Sequence, residues 1–343
     1  MKKATIFDVA ELAGVSIKTV SRVVNREPNV KASTKERVDK AISKLNYRPD
    51  QSARNLASHR SHLIGLVYDD PAAYELPSSG YIIKMQEGAL KGCRSVLSEL
   101  LIHPCDYRKK NVSAELKSLI EDARPAGIIL AAPLSNMPKI VRAIEATGTP
   151  CVLLAPGTKN DKKLSVATND REVSAEMTRY LAGLGHTRIA FITGNPDHKA
   201  VANRFLGYQD GLSESGIDFS THLVAAGDNS FGSGEACARQ LLGHKKPPTA
   251  IFAANDDMAA GVIRVAHRIG IEMPAALSVA GFDDINLSRQ LDPALTTIRQ
   301  PLVRMTERAA LMLTRHGRDK DEGDHECVPA EIQIRESTGP APR

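Results

Sequence analysis

A short polar segment near the amino terminus, GVSIKTVSRVVNREPNV (residues 14–30), carries side chains that can hydrogen bond to base edges and phosphates. At about 100° per residue, its valines fall on one side of a helix together with Ser16 and Thr19. The other side holds short or basic residues: Ile17, Lys18, Ser21, Arg22 and Asn25. Short side chains let a helix enter a DNA major groove, and these supply the donors and acceptors that base edges require.

The helix before this segment is predicted from its cap and its apolar stripe. Thr5 and Asp8 have the spacing of a capping box, and apolar residues follow at helical intervals in IFDVAELA. Gly14 permits the tight turn that ends this helix, and Ser16 can cap the next one. The two helices and their turn indicate a helix-turn-helix unit.

A third helix completes the predicted head of the protein. Ser33 and Glu36 have capping-box spacing, and an apolar stripe follows in RVDKAISKL. The sequence therefore predicts a three-helix DNA-binding domain over residues 1–47. The alternative is a small polar three-helix unit that contacts another protein.

The net charge of the chain is concentrated near this head. Residues 1–60 contain 13 Lys and Arg against 6 Asp and Glu, a balance of +7. The whole chain has 45 and 40, so the rest has 32 and 34, a balance of −2. A basic head on a near-neutral body favours a polyanion as the partner of the head. A basic face that is merely solvated is the alternative.

Two stretches, TIFDVAELAGVSIKTVSRVVN and KERVDKAISKLNYRPDQSARNLA, resemble the start of transcriptional regulators of the lactose-repressor (LacI/GalR) family. The spacing of the motif residues and the positions of the turn residues agree through Leu56. Later motifs extend the resemblance to about residue 303. The resemblance implies a repressor that binds operator DNA under the control of a small ligand. It also implies the fold: a helix-turn-helix head plus a two-lobed, periplasmic-binding-protein-like α/β body of doubly wound parallel sheets.

The resemblance assigns DNA contacts to the head. Ile17 and Lys18 match the positions that read bases most variably. Lys18 can donate a hydrogen bond to guanine, and Ile17 can touch a thymine methyl group. Alternatively, Ile17 belongs to the core of the head. Thr34 and Lys35 are phosphate contacts or caps. The residues expected at the DNA are Thr5, Ser16, Ile17, Lys18, Ser21, Arg22, Asn25 and Leu56.

Residues 48–60 are predicted to form a hinge. Pro49 ends the third helix, and Asp50 can cap a new helix of about two turns. That is shorter than the ~12–15 residues at which isolated helices become marginally stable, so the hinge should be largely unfolded alone. The resemblance implies that two hinges pair in a dimer, fold on the operator and insert Leu56 into the minor groove, where an apolar wedge kinks the duplex. A disordered linker is the alternative.

Apolar strand-like runs alternate with helical patterns through residues 61–343, as in parallel doubly wound sheets. The predicted strands are Leu63–Val67, Gly127–Ala131, Cys151–Leu154, Arg188–Thr193, Ala250–Ala253 and Leu277–Phe282. Helices are predicted over residues 81–97 and 172–184. The resemblance implies two lobes with chain crossings near 158–163, 289–293 and 318–326. The expected N-lobe covers about 61–160 and 292–320, and the C-lobe about 161–291 and 321–340.

Polar residues follow several of these strands, where ligands of open α/β sheets bind. The resemblance places effector contacts at Ser79, Tyr81, Arg204, Asn229, Phe231, Asn255, Asp283 and Gln300. An Arg fork with carboxylates and an amide suits a polyhydroxylated ligand, which favours a sugar or sugar derivative acting as an inducer. Each of these polar residues is alternatively a cap or loop residue.

Asn229 departs from the family pattern, in which an aromatic side chain often stacks on the ligand. The chain contains no Trp. Phe231 and Phe282 are candidates for an apolar wall. Either the ligand is more polar than usual, or the stacking face comes from elsewhere. The cleft residues leave open a corepressor with a purine-like ligand as the alternative to a sugar inducer.

Other classes of protein have less support. Five scattered cysteines without a C-x-x-C pair argue against disulfides and structural zinc. No apolar run reaches the ~18–20 residues of a membrane span, and the missing signal peptide disfavours a solute-binding protein. G-x-S-x-G, H-E-x-x-H and a strand-linked G-x-G-x-x-G are absent, so we expect no enzyme, metal site or cofactor. His186 is predicted to pack or cap.

The tail, CVPAEIQIRESTGPAPR, gives a last strand and a Pro/Gly-rich end. It lacks the leucine heptads that tetrameric members of the family use. We therefore expect a cytoplasmic homodimer that binds a pseudo-palindromic operator in double-stranded DNA, without a membrane partner.

Overall fold

The computed structural model describes residues 4–24, 30–47, 62–69, 80–157, 163–315 and 324–342. The predicted hinge, residues 48–60, lies outside these ranges, as do the predicted site residues Asn25, Leu56 and Ser79. Within the described residues, none of the helices is both long enough and apolar enough to cross a membrane.

The chain divides into two compact units, Met1–Ser61 and His62–Arg343. The described helices of the first unit are α1 (Ile6–Ala13), α2 (Ile17–Val24) and α3 (Ala32–Leu45). Their buried side chains are those of Val9, Ala10, Ala13, Val20, Val23, Val38 and Ala41. These residues recur at helical spacing, so each helix has one inner stripe and a polar outer face.

The caps of α1 and α2 are the predicted ones. The Thr5 hydroxyl accepts from the Asp8 amide at 3.4 Å, and the Thr5 amide donates to Asp8 Oδ2 at 2.7 Å. This reciprocal pair is the capping box expected from the sequence. Gly14 closes α1 at φ 62°, a conformation without steric cost for glycine. The Ser16 hydroxyl accepts from the Thr19 amide at 3.2 Å and caps α2.

The predicted capping box of α3 is wrong. The helix begins at Ala32, and Lys31 occupies the cap position without a side-chain hydrogen bond to any described residue. The Lys31 carbonyl accepts from the amides at the start of the helix, at 3.0 Å, so backbone groups satisfy these donors. Ser33 and Glu36 lie inside the helix, and Glu36 pairs with Lys40 at 2.9 Å.

The described strands of the second unit form two sheets, and each sheet is the centre of one lobe. The first lobe has the strand order β11-β5-β4-β3-β1-β2. Its strands are β1 (Leu63–Asp69), β2 (Glu99–Cys105), β3 (Gly127–Ala131), β4 (Cys151–Leu154), β5 (Ser165–Ala167) and β11 (His325–Cys327). Its helices are α4 (Gly80–Ser95), α5 (Val112–Ala123), α6 (Pro138–Glu145) and α11 (Leu302–Arg315).

The second lobe has the strand order β12-β10-β9-β8-β6-β7. Its strands are β6 (Ile189–Thr193), β7 (Val224–Ala226), β8 (Ala250–Ala253), β9 (Ser278–Phe282), β10 (Thr296–Arg299) and β12 (Glu331–Gln333). Its helices are α7 (Asp170–Gly183), α8 (Lys199–Glu214), α9 (Phe231–Leu242) and α10 (Asp256–Arg268). Among the described strands, only β12 runs antiparallel to its neighbour.

The central strands of both sheets are buried along their whole length. Every residue of β3, β8 and β9 is buried, because helices cover both faces of a parallel sheet. This burial requires continuous apolar runs, and such runs predicted these strands to within one residue at each end.

The chain crosses between the lobes at different residues from those predicted. β5 still pairs with β4 in the first sheet, so the first crossing follows residue 167. β10 still pairs with β9 in the second sheet, so the second crossing follows residue 299. β11 joins the first sheet beside β5, which puts the third crossing between β11 and β12. Strand pairing, which the sequence alone does not reveal, decides to which lobe a segment belongs.

His186 is a structural residue, as predicted. Its ring is buried, with Nδ1 2.9 Å from Thr249 Oγ1 and Nε2 3.0 Å from Ser278 Oγ. Nε2 also lies 3.1 Å from the Gly339 carbonyl. Burial lowers the pKa of His186, against the opposing effect of that carbonyl. The imidazole joins separate parts of the second lobe.

Helices α4 and α11 approach closely at Gly88. A Cβ at this position would lie 2.2 Å from the Val303 carbonyl oxygen, so we predict that Gly88→Ala destabilises the protein by about 1–3 kcal/mol. Gly183→Ala is the matched control, because a Cβ there meets no described atom within 4 Å. Helix propensity favours alanine at the control site by up to about 1 kcal/mol. Urea unfolding followed by circular dichroism measures both changes, and equal stabilities would contradict the close approach.

Candidate functional site

The outer face of α2 is exposed, as a DNA-reading surface requires. Val20 and Val23 are buried on the inner face. Ile17 is 40% exposed, and Lys18 and Arg22 are exposed beside it. Ile17 therefore does not belong to the core of the head, which was the alternative for this residue.

Two other predicted DNA contacts are also helix caps. Thr5 and Ser16 are exposed, and each uses its hydroxyl at the amino end of a helix, in α1 and α2 respectively. Ser21 is half-buried on α2. The amino end of a helix favours phosphate groups, so capping and a phosphate contact are compatible at Thr5 and Ser16.

A cavity lies between the two sheets of the second unit and encloses about 1000 Å³ of space, the open solvent at its mouth included. Much of its lining comes from residues at or just beyond the carboxyl ends of parallel strands: Asp69, Ala132, Ala155, Asn195, Asp228, Asn255 and Asp283. Helices α4 and α8 add Tyr81, Ile82, Met85, Ala200, Val201 and Arg204. The two sheets thus point the same ends at one another, and loops from both lobes meet there.

Arg204 is a buried cation on α8 in the wall of this cavity. Its Nε donates to Asp170 Oδ1 at 2.8 Å, and Nη1 donates to the Ala254 carbonyl at 2.6 Å. Nη2 donates to Gln300 Oε1 at 3.5 Å. The guanidinium carbon lies 3.6 Å from the centre of the Phe282 ring. These contacts fix the guanidinium plane in one orientation. Gln300 contacts Arg204 and is not among the residues that line the cavity.

Asp283 lies beside Arg204 and has no such set of partners. Its Oδ1 is 3.7 Å from Arg204 Nη1 and accepts no hydrogen bond from the described residues. Burial raises the pKa of the Asp283 carboxyl to about 7, although Arg204 opposes the shift. Burial likewise raises the pKa of Asp170 against the effect of Arg204. Of these two carboxyls, Asp170 is bonded to Arg204 and Asp283 retains an unsatisfied oxygen.

Two asparagines line the cavity and also hold its loops. Asn255 caps α10, since its Oδ1 accepts from the Met258 amide at 3.0 Å. Its Nδ2 donates to the Asn229 carbonyl at 2.9 Å. Asn229 has φ 76°, and its Oδ1 accepts from the Asn195 amide at 3.3 Å. Asn255 therefore caps α10 and lines the cavity at the same time.

The aromatic side chains of the described cavity wall include Tyr81, a predicted contact, but not Phe231 or Phe282. Phe231 lies at the start of α9, where the Arg264 guanidinium carbon is 5.4 Å from its ring centre, and it does not line the cavity. Phe282 is fully buried beneath Arg204. The aromatic residues of the described wall are Tyr68 and Tyr81, so the suggestion that Phe231 or Phe282 supplies an apolar wall is wrong.

Six polar residues of the lining were not predicted from the sequence: Tyr68, Asp69, Asn195, His198, Asp228 and Ser230. Asp69 ends β1 and Asn195 follows β6, so the strand-end rule could have found both. His198 carries no comparable signal. Burial and the nearby Arg204 lower its pKa to about 4, which leaves the imidazole neutral near pH 7.

Two further carboxylates after strands hold loops together instead. Asp256 Oδ2 accepts from the Ile285 amide at 2.9 Å. Asp284 accepts from Arg299 Nε at 2.7 Å and from Arg335 Nη2. Burial acts to raise the pKa of Asp284, but the hydrogen bonds from Arg299 and Arg335 outweigh it and lower the pKa to about 2. Within the described residues, no group of His, Cys, Asp and Glu side chains is arranged to hold a metal ion.

Hydrogen bonds connect the two lobes around the cavity. The Tyr107 hydroxyl of the first lobe donates to Asp197 Oδ2 at 3.0 Å and accepts from Asn195 Nδ2 at 3.1 Å. Asn203 Nδ2 of the second lobe donates to the Gly157 carbonyl at 2.7 Å. The lobes are thus held together over the cavity by polar contacts, which can break and re-form more readily than an apolar interface.

A helix-turn-helix head and a two-lobed body with a cavity between parallel sheets define a DNA-binding regulator with a ligand-binding body. Residues 5–50 match the bacterial regulatory proteins of the lacI family, and residues 178–338 match the periplasmic binding protein-like domain. The HTH-type transcriptional regulator GalR of Escherichia coli (strain K12) is 34% identical over 316 residues, which are 90% of this chain and 87% of that protein. Catabolite control protein A of Priestia megaterium is 30% identical over 337 residues, 97% of this chain and 99% of that protein.

Solved structures show the same architecture over the whole chain. The lac repressor dimer bound to operator and the anti-inducer ONPF is 27% identical, with a TM-score of 0.77, and covers 98% of this chain and 100% of its own. The complex of the transcriptional regulator CelR with cellobiose is 26% identical, with a TM-score of 0.75 and the same coverage. The chain therefore belongs to the lacI family of bacterial regulatory proteins. It is a DNA-binding transcriptional repressor, and its family consists of regulators rather than enzymes.

Tyr107→Phe removes two hydrogen bonds between the lobes and keeps the aromatic ring. Because each bond contributes about 0.5–1.5 kcal/mol, we expect the lobes to separate more often, and small-angle X-ray scattering should give a larger radius of gyration. Tyr180→Phe is the matched control, since the Tyr180 hydroxyl bonds to Thr338 at 2.9 Å within the second lobe. The same radius for both variants would show that Tyr107 does not hold the lobes together.

Proposed function

We propose that this repressor binds its operator under the control of a small polyhydroxylated ligand, a sugar or sugar derivative that acts as an inducer. The observation that carries this proposal is the cavity between the lobes, where Arg204, Asn255 and Asp283 meet. Guanidinium, amide and carboxylate groups can each form paired hydrogen bonds with adjacent hydroxyls. Similarity to the CelR–cellobiose complex supports the same class of ligand.

The proposed ligand contacts come from both lobes. We assign contact with the ligand to Ser79, Tyr81, Arg204, Asn229, Asn255 and Asp283. Ser79 rests on the sequence resemblance alone. Gln300 is proposed to position Arg204, because its Oε1 accepts from the guanidinium behind the cavity.

The proposed DNA contacts lie in the head and the hinge. Lys18 and Ile17 are assigned to base edges, and Leu56 to the minor groove. Asn25 and Leu56 rest on the sequence resemblance. The whole proposed set is Thr5, Ser16, Ile17, Lys18, Ser21, Arg22, Asn25 and Leu56.

The proposed organisation divides DNA binding and ligand binding between separate parts. Residues 1–47 form the DNA-binding head, 48–60 the hinge and 61–343 the body. We propose a cytoplasmic homodimer, whose two heads read the half-sites of a pseudo-palindromic operator.

Ligand control is proposed to act through closure of the two lobes. A ligand that contacts both lobes favours the arrangement in which they are closed. The hinge joins the chain immediately before β1 of the first lobe, so displacement of that lobe changes how two hinges can pair. The ligand can shift DNA binding only as far as its affinity differs between the two arrangements.

Fluorescence anisotropy on a pseudo-palindromic operator candidate tests this proposal with the full-length protein. We expect specific binding that one sugar of a panel weakens by about 5–150-fold, the usual range of allosteric coupling. A random duplex of equal length is the control. Tighter binding with a purine-like ligand would support the corepressor alternative. Equal affinity and equal salt dependence on both duplexes would show that the head does not recognise a DNA sequence.

Lys18→Ala tests the assignment of base contacts. Loss of a donor to guanine should weaken operator binding by about 1–3 kcal/mol per half-site and change affinity for random DNA much less. Lys40→Ala is the matched control, because Lys40 Nζ already pairs with Glu36 at 2.9 Å. An equal loss on operator and random DNA would make Lys18 a phosphate contact instead.

A further inference from the structure

The cavity lining holds more negatively charged than positively charged side chains. The described lining residues include three carboxylates, Asp69, Asp228 and Asp283, and a single cation, Arg204. His198 also lines the cavity, but burial and Arg204 lower its pKa to about 4, so it adds no positive charge near pH 7. A bound ligand therefore meets an excess of negative charge.

The cation of the cavity is already held by protein groups. Arg204 donates to Asp170 at 2.8 Å and to the Ala254 carbonyl at 2.6 Å. An acidic ligand would have to share the guanidinium with Asp170 or displace it, and breaking a buried pair leaves an uncompensated charge. Arg204 is thus poorly placed to neutralise a carboxylate or phosphate on a ligand.

Asp283 is held less tightly than Arg204, because its Oδ1 makes only a long ion pair, 3.7 Å from Arg204 Nη1. The Oδ1 atom of Asp283 accepts no hydrogen bond from the described residues, and Asp283 is only 5% exposed. It adopts φ 116°, in a region where few residues other than glycine occur, and such strain is often kept where it positions a functional side chain. A ligand ammonium or hydroxyl group can donate to this carboxyl, whereas an acidic group meets a like charge.

We propose that Asp283 sets the charge preference of the cavity, so that it favours sugars with an amino group over neutral sugars and rejects sugars with a carboxylate or phosphate. This inference rests on the proposed function, because it concerns the same ligand site. Membership of the family leaves the charge of the ligand open. The preference follows from the arrangement of this chain's own Asp283, Arg204 and Asp170.

Ligand binding should be coupled to a proton on Asp283. The charged and titratable groups around this carboxyl are Tyr81, Lys84, Asp170, Arg204, Asp256 and Asp257. Burial places its pKa at about 7, against the effect of Arg204, so near neutral pH a part of the molecules carries the proton. An ammonium group favours the ionised carboxylate and lowers this pKa. Binding of an amino sugar therefore releases protons from this carboxyl, and its affinity rises with pH as long as the amino group of the sugar stays protonated.

Isothermal titration calorimetry of the full-length protein near pH 7 measures this preference with two matched series. The probes are glucosamine, glucose and glucuronate, and galactosamine, galactose and galacturonate. In a series that binds, we expect the amino sugar to bind at least about 10-fold tighter than the uronate. Titrations in buffers with different ionisation enthalpies should show proton release with the amino sugar. A uronate that binds as tightly overturns this inference and leaves the proposed function intact. If none of the six binds, this inference is overturned, and the operator titration with the wider sugar panel decides the proposed function separately.

The variant Asp283→Asn tests whether Asp283 is the residue that sets the charge preference. Asparagine keeps the shape and tolerates positive φ, so we expect the ratio of amino-sugar to uronate affinity to fall by about 10-fold and proton release to disappear. Asp283→Glu retains the charge and should retain the preference. Asp218→Asn is the control, since it makes the same change at an exposed position. An unchanged ratio in Asp283→Asn, with the melting temperature and glucose or galactose binding preserved, would overturn the assignment.

Discussion

The ion pair between Arg204 and Asp170 is the interaction on which the ligand cavity depends. The two residues are 6% and 4% exposed, and either charge alone would be costly to bury. The additional hydrogen bond to the Ala254 carbonyl, at 2.6 Å, helps to offset that cost. Because Asp170 begins α7, Arg204 lies on α8 and Ala254 follows β8, the pair ties three elements together at one end of the sheet. The polar wall of the cavity is consequently organised by the second lobe itself.

Parallel strands explain why one cavity collects side chains from distant parts of the sequence. Asp69 and Asp283 are more than two hundred residues apart, yet each lies where a parallel strand ends. The same geometry places side chains with purely structural roles nearby, as with Asp256 and Asp284. Cavity residues and structural residues differ in whether their carboxylate oxygens already accept hydrogen bonds from the protein. Asp284 has its oxygens occupied by Arg299 and Arg335, whereas Asp283 retains an oxygen that no described group satisfies.

The first two helices of the head could be predicted closely because their determinants are local. The Thr5–Asp8 box and the Gly14 turn act within a few residues of chain. In the body, the buried runs of β3 and β8 were recognisable because burial on both faces leaves little room for polar residues. Strands such as β5 and β11 escaped because three residues carry no periodicity, and they exist only through pairing with distant partners.

The ligand cavity was partly predictable for the same reason. Arg204, Asn255 and Asp283 were found through the resemblance to a family and the rule that ligands bind at strand ends. His198 was missed because its position depends on how α8 packs. Phe231 was misplaced because sequence spacing does not determine on which side of a helix start an aromatic ring lies.

The three crossings between the lobes also constrain how the body is completed during synthesis. The first lobe receives α11 and β11 only after the whole α/β part of the second lobe has been made. The second lobe then receives β12 and the Ser337 hydroxyl, which accepts from the Thr296 amide at 2.8 Å. Neither sheet is finished until almost the entire chain has left the ribosome. The head can fold from local contacts, whereas each sheet of the body keeps an unfinished edge until its last strand in the sequence has been made.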